Sequence, residues 1–201
     1  YREAMRHSLD FAFAAHNLGN LERALGDAAA AERYYRRATA VDDLFTPAKV
    51  NLAMLLNAQD RNGEAETLLR EVLRAEPDHA EVAYSLGLLL AEMGRLDEAA
   101  GFLERAAAGL PQRARVWYNL GLAHQAAGSP EAAAAALRSA LELEPANPDF
   151  LLALADHLLR SGDPRGARPY AERLIALDPR SPTGHRLRAA IEAQLERQER
   201  D

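Results

Sequence analysis

Leucine returns every 34 residues along this chain, at Leu18, Leu52, Leu86, Leu120 and Leu154, and a small residue follows each time: Gly19, Ala53, Gly87, Gly121 and Ala155. Twelve residues after each small residue stands an alanine: Ala31, Ala65, Ala99, Ala133 and Ala167. The next anchor is large in four copies, Tyr35, Leu69, Leu103 and Leu137, and small in the fifth, Ala171. Copies two to five close on Pro77, Pro111, Pro145 and Pro179, whereas Asp43 holds that place in the first. A fixed period of this length marks a stacked-repeat architecture, in which one supersecondary unit buries its apolar face only against its neighbours.

Punctuation within each copy is helical. Helices approach closely only where small side chains meet, which the paired Gly/Ala and Ala positions supply. Gly26, Gly94, Gly128 and Gly162 stop the first helix of a copy, and the closing proline stops the second. Ser129-Pro130 and Asp163-Pro164 read as an N-cap followed by proline at the first helical position. Copy two departs: Asp60 stands where glycine is expected and Asn62-Gly63 comes slightly later, so a distorted turn is expected there.

The chain therefore reads as all-α, with five antiparallel helix pairs at 12–45, 46–79, 80–113, 114–147 and 148–181. From Pro182 the period lapses, and Leu187, Ala190, Ile191 and Leu195 form an apolar stripe backed by polar residues, the pattern of a capping helix over 182–201. Tyr1, Ala4 and Met5, followed by Leu9, Asp10 and Phe11, match the second half of a copy. Residues 1–11 are accordingly expected to be the remnant second helix of a preceding repeat. The uncapped apolar face this implies invites self-association through the N-terminal end.

These anchors resemble the tetratricopeptide repeat (TPR) family. The fourth copy fits best, with Trp117, Leu120, Gly121 and His124, then Ala133 and Leu137, then Pro145; His124 stands where the family usually has tyrosine. The resemblance spans residues 12–181. It implies a TPR alpha-alpha superhelix, a right-handed solenoid whose concave wall binds a protein or an extended peptide, and no chemistry of its own.

At 100° per residue, positions four, seven, eight and eleven of each first helix share one side, the seam between helices, while two, five, six, nine and thirteen lie opposite. The resemblance puts this second set on the concave wall. Position five holds His16, Val50, Tyr84, Tyr118 and Leu152; position nine holds Asn20, Met54, Leu88, Leu122 and Asp156. Position six reads Asn17, Asn51, Ser85, Asn119 and Ala153, and Arg115 is at position two of the fourth repeat. The candidate peptide-binding residues are thus His16, Asn17, Asn20, Val50, Asn51, Met54, Tyr84, Ser85, Leu88, Arg115, Tyr118, Asn119 and Leu122.

Tyrosine offers rigid amphipathic contact, methionine and leucine adapt to apolar side chains, and asparagine both donates to and accepts from a peptide backbone. The asparagine row resembles the ladder in the TPR superhelix of O-GlcNAc transferase, broken at Ser85 and lost at Ala153. Each such hydrogen bond contributes about 0.5–1.5 kcal/mol net, so apolar contacts must supply the rest of a micromolar affinity. A competing reading has these asparagines and tyrosines packing or hydrogen-bonding between neighbouring repeats. A carboxylate clamp of the chaperone-cofactor type fits poorly, since the frame His16, Asn20, Asn51, Glu81, Ser85 keeps both asparagines but lacks every cation.

The remaining function classes find little support. Twenty-four basic against 30 acidic residues give a nucleic-acid backbone no long-range attraction. Cysteine is absent, which excludes disulfides, cysteine-ligated zinc and iron–sulfur clusters. No catalytic spacing, phosphate-cradling glycine loop, membrane span or signal pattern occurs, so no cofactor, metal or membrane insertion is expected. His124 and His157 occupy neighbouring positions of successive first helices, and packing is the favoured reading over a metal pair. The near-exclusive use of arginine, with Lys49 the single lysine, reads as bacterial coding bias. Stretches such as Pro47–Ala53 loosely resemble arrays that follow multihaem cytochrome domains in exported bacterial proteins. The alternatives to peptide binding are therefore a scaffold or an accessory domain of a larger protein, in the cytoplasm or the periplasm.

Overall fold

The structure, a computed structural model, describes residues 2–200, with side chains described from residue 10 onward. The described residues form α-helices joined by short turns, with no strand among them. In chain order these are α1 (Arg2–Ala24), α2 (Ala28–Val41), α3 (Thr46–Asn57), α4 (Asn62–Ala75), α5 (Ala80–Glu92) and α6 (Leu96–Gly109). They continue as α7 (Ala114–Ala126), α8 (Pro130–Leu143), α9 (Pro148–Arg160), α10 (Pro164–Leu177) and α11 (Pro182–Gln198). Helices α3, α5, α7 and α9 begin at residues 46, 80, 114 and 148, one period apart, and α11 begins at residue 182, where the period lapses. The helices divide into two compact bodies, Tyr1–Gly94 and Arg95–Asp201.

Residues 2–11 are helical and continue without a break into the first helix of repeat 1, one helix running from Arg2 to Ala24, because neither glycine nor proline interrupts the sequence before Gly19. Tyr1 and the side chains of Ala4, Met5 and Leu9 lie outside the described residues.

The first-helix turns repeat one geometry. Gly26, Gly94, Gly128 and Gly162 all have φ between 76° and 86°. In repeat 2 the expected distortion is absent, since Asp60 adopts φ 61° in the glycine's place. The Arg61 amide donates to the Leu56 carbonyl at 2.9 Å, as Asp27 does to Glu22, Ser129 to His124 and Asp163 to Leu158 at the same distance. These are the six-to-one bonds that close a helix end. Asp163 caps α10 through its carboxylate on the Gly166 amide at 2.8 Å, whereas Ser129 occupies the N-cap of α8 without a side-chain bond.

Alanine makes close helix contact possible inside each body. In the N-terminal body Ala12, Ala15, Ala38, Phe45 and Ala48 form one buried cluster. In the C-terminal body Phe150, Leu151 and Leu154 of α9 pack with Leu137 and Leu141 of α8, Leu174 of α10 and Leu187 and Ile191 of α11. The repeating leucine is at most 4% exposed at Leu52, Leu86, Leu120 and Leu154, but Leu18 is 42% exposed. The seam position is thus open in repeat 1, where the outward side of α1 carries no described element.

Ionic joints tie repeat 1 to repeat 2. Arg61, at the head of α4, bonds Glu32 of α2 at 2.8 Å and Glu64 at 2.7 Å, and Arg36 reaches Glu64 at 3.1 Å. The chain's single lysine is buried at position four of repeat 2, with Lys49 Nζ 2.9 Å from Asp43 and 3.2 Å from Glu71.

Candidate functional site

In the N-terminal body the candidate face is made by α1, α3 and α5. Position five of α1, position nine of the same helix and position six of α3 meet in one polar cluster. Asn51 Nδ2 donates to Asn20 Oδ1 at 2.8 Å and lies 2.9 Å from His16 Nε2, while Asn20 Nδ2 lies 3.4 Å from the same nitrogen. The Tyr35 hydroxyl, reaching across from α2, also donates to Asn20 Oδ1 at 2.8 Å. With Nε2 accepting from the amides, the imidazole proton sits on Nδ1, a buried atom with no hydrogen-bond partner. Burial holds the His16 pKa below the usual histidine value, because desolvation disfavours the charged ring.

The cluster therefore joins three helices with its own hydrogen bonds. Asn20 and Asn51 spend their amides on each other, on His16 and on Tyr35, as in the reading of asparagines that bond between neighbouring repeats. Ser85 makes no such bond between repeats: its hydroxyl donates to the Glu81 carbonyl at 3.0 Å on the same helix. Asn17 is exposed.

Beside this cluster, large apolar side chains also face water. Met54 is 53% exposed and Phe13 49%, and Val50, Tyr84 and Leu88 are half-buried. Phe13 packs edge-on against Phe45 at 4.8 Å, and Phe45 meets the His16 ring at 5.5 Å. Phe13 was not among the sequence candidates, although its place at position two of repeat 1 was a signal for it. Phe45, which closes repeat 1, had none.

In the C-terminal body the face is built by α7 and α9. Tyr118 stacks on Phe150 with ring centroids 4.9 Å apart. The exposed Arg115 guanidinium lies over both rings, 5.2 Å from Tyr118 and 5.5 Å from Phe150. This arrangement fixes a planar cation on an aromatic support. Asn119 is half-buried and Leu122 is exposed. Phe150 was missed by the sequence reading because position three lies outside the set assigned to the concave wall.

The two histidines considered as a pair take different partners. His124 Nε2 lies 3.3 Å from Glu104 Oε1 on α6, and His157 Nε2 lies 2.8 Å from the Pro130 carbonyl. No helix among the described residues is long and apolar enough to cross a membrane.

Comparison with known proteins agrees with this geometry. Three models of the tetratricopeptide repeat match residues 14–41, 50–114 and 124–191. No curated protein matches by sequence. Among solved structures, MamA from Desulfovibrio magneticus RS-1 superposes with a TM-score of 0.78 at 22% identity, over 86% of this chain and 98% of that one. YrrB, described as a TPR protein with an unusual peptide-binding site, gives 0.76 at 17% identity over 92% and 95%. PilF of Pseudomonas aeruginosa gives 0.74 at 23% identity over 95% and 93%. Likenesses at such identities speak to the fold, and with the repeat models matching from residue 14 to residue 191, the chain belongs to the tetratricopeptide repeat family.

Proposed function

We propose that this chain is a protein-interaction module that holds an extended segment of a partner polypeptide against the first-helix faces of its repeats, and that it is a binding module rather than an enzyme. The observation that carries this reading is the exposure of Met54 and Phe13 on a face where solvated positions ordinarily carry charge. Large flexible or aromatic side chains left in water beside fixed polar groups are the composition of a recognition surface. The peptide-binding site described for YrrB supports the same use of the fold.

The division of labour within the face follows from the hydrogen bonds. Phe13, Val50, Met54, Tyr84 and Leu88 supply apolar contact in the N-terminal body, and Arg115, Tyr118 and Leu122 supply contact in the other. His16, Asn20 and Asn51 act chiefly by fixing the helices that present those side chains.

The reading is tested by selecting binders from a random peptide library on the immobilised chain and titrating them by fluorescence anisotropy. Met54→Asp is expected to weaken the selected peptides by about tenfold or more, which corresponds to about 1.4 kcal/mol. Asn51→Ala paired with Asn119→Ala is expected to lower thermal stability more than affinity. Peptides that bind Met54→Asp and Phe13→Asp variants as well as the parent chain would remove this face from the site.

A further inference from the structure

The hydrogen bonds around His16 run in one direction. Nε2 of the ring accepts from the Asn51 amide at 2.9 Å and from the Asn20 amide at 3.4 Å, and Asn20 Oδ1 accepts from Asn51 and from the Tyr35 hydroxyl at 2.8 Å each. Every donor has its acceptor only while Nε2 carries no proton, because a neutral ring nitrogen accepts and a protonated one donates. No turning of the same side chains accommodates a second ring proton. If the Asn51 amide turns to offer Oδ1 to the ring, that oxygen comes to face Asn20 Oδ1. If Asn20 turns as well, its Nδ2 meets the Tyr35 hydroxyl, whose own proton then has no acceptor on a fully buried side chain. In each arrangement the Nδ1 proton, on a buried atom without a partner, stays unpaired on a ring that is now charged. Stranding a buried donor and charging a desolvated ring are both costly.

We propose that His16 is a proton-operated latch: the neutral ring holds α1 against α3, and protonation lets the two helices shift and weakens the peptide-binding face. This regulation rests on the peptide-binding reading of that face. The latch stands among the side chains which that reading uses. Phe13 is three residues before His16 on α1, and Val50 and Met54 lie one residue before and three residues after Asn51 on α3. Phe45 packs on the Phe13 ring at 4.8 Å and on the His16 ring at 5.5 Å, so a shift of the imidazole is passed to an exposed aromatic of the face.

The titration belongs to the ring and to no neighbouring charge. His16 faces Asn20 of α1, Tyr35 of α2, Phe45 of the α2–α3 turn and Asn51 of α3, of which only Tyr35 is titratable. Residues 12–20 of α1 include no charged side chain. Glu32 and Arg36 of α2 are engaged with Arg61 and Glu64, and Lys49 of α3 with Asp43 and Glu71. Burial is accordingly the one cause that lowers the His16 pKa. Peptide held by the latched form disfavours the proton, and by linkage the proton disfavours peptide to the same degree. Affinity is therefore full at neutral pH and falls as pH drops below about 6.5, the ordinary histidine value, toward the lower pKa of the folded ring.

Two readouts on the intact chain test the latch. The first needs no peptide: NMR follows the His16 ring and the backbone amides of Asn51 and Met54 from neutral pH to about pH 5, while circular dichroism checks that the helices persist. Ring and α3 amides are expected to titrate with one midpoint, below about pH 6.5. The second is the anisotropy of library-selected peptides that contain no histidine, aspartate or glutamate, whose affinity is expected to weaken by about fivefold or more over the same range. His16→Gln, which offers an acceptor oxygen and cannot take up the proton, is expected to flatten that profile, whereas His124→Gln in the C-terminal body is expected to keep it. A His16 ring that titrates without the α3 amides, or a His16→Gln chain as pH-sensitive as the parent, overturns the latch. A pH-flat parent chain whose peptides are still weakened by Met54→Asp overturns the latch and leaves the peptide-binding face standing, while peptides indifferent to Met54→Asp remove the face and its regulation together.

Discussion

Asp60 shows how a repeat tolerates the wrong residue at a fixed backbone position. Its φ of 61° is one that a non-glycine residue adopts at a cost of about 1–2 kcal/mol, and aspartate is among the side chains that tolerate it best. Asp60→Gly relieves that strain but frees the unfolded chain, so a net gain of up to about 1 kcal/mol is expected, read as a rise in melting temperature. Asp60→Val is expected to lower stability by about 1–3 kcal/mol, since a branched side chain resists the conformation. A melting temperature unmoved by both changes would show that the turn does not depend on this residue. His16 carries the second residue-scale expectation. Its folded pKa is held below the ordinary histidine value by burial, so near that ordinary value the unfolded chain binds more protons than the folded one. Stability is therefore full above about pH 6.5 and falls as pH drops through that value toward the folded pKa. Glu32, whose pKa is lowered by its hydrogen bond to Arg61, contributes stability that is lost only at lower pH, as carboxylates protonate. His16→Gln removes the first loss and leaves the second. Urea unfolding of both chains between neutral pH and pH 5 checks it, and equal slopes would clear His16 of the effect.

Elements depend on where the backbones touch. A Cβ added at Gly19 of α1 would meet Tyr35 Cε1 of α2 at 2.5 Å, and that ring is fully buried with its hydroxyl on Asn20. Gly19→Ala is therefore expected to cost about 1–3 kcal/mol, by overpacking the α1–α2 contact. Gly101, inside α6, has nothing within 4 Å of the same added atom, and Gly101→Ala is expected to gain about 0.5–1 kcal/mol from helix propensity alone. Thermal melts of the two variants should move in opposite directions; a shared direction would refute the packing argument. Much of this level was legible in advance, because glycine and proline mark helix ends by local sterics and the repeat multiplies the signal. Helix starts at Thr46, Ala80, Ala114, Pro148 and Pro182 are of that kind. The unbroken α1 was less so, since the similarity of residues 1–11 to a second helix says nothing about whether a turn follows. The pairing of Asn20 with Asn51 was not resolved by sequence at all. It depends on the angle at which α1 crosses α3, which spacing within one helix does not encode.

At the scale of the whole chain, repetition makes one substitution a set of parallel experiments. Each repeat touches mainly its neighbours, so the energetic weight of a position depends on its place in the array as much as on the residue there. The same leucine recurs five times, yet it is 42% exposed at Leu18 and fully buried at Leu86 and Leu154. Removing the side chain at a buried copy loses the transfer energy and leaves a cavity; removing it where solvent already reaches loses little of either. Leu154→Ala is expected to cost about 2–5 kcal/mol, because Leu154 lies in the cluster that joins α8, α9, α10 and α11. Leu18→Ala is expected to cost about 0.5 kcal/mol or less, because Leu18 is already 42% exposed. Chemical denaturation of the two variants and the parent reads both quantities. A cost for Leu18→Ala as large as that for Leu154→Ala would mean that Leu18 is covered in the folded chain, and the weighting of a position by its place in the array would have to be abandoned.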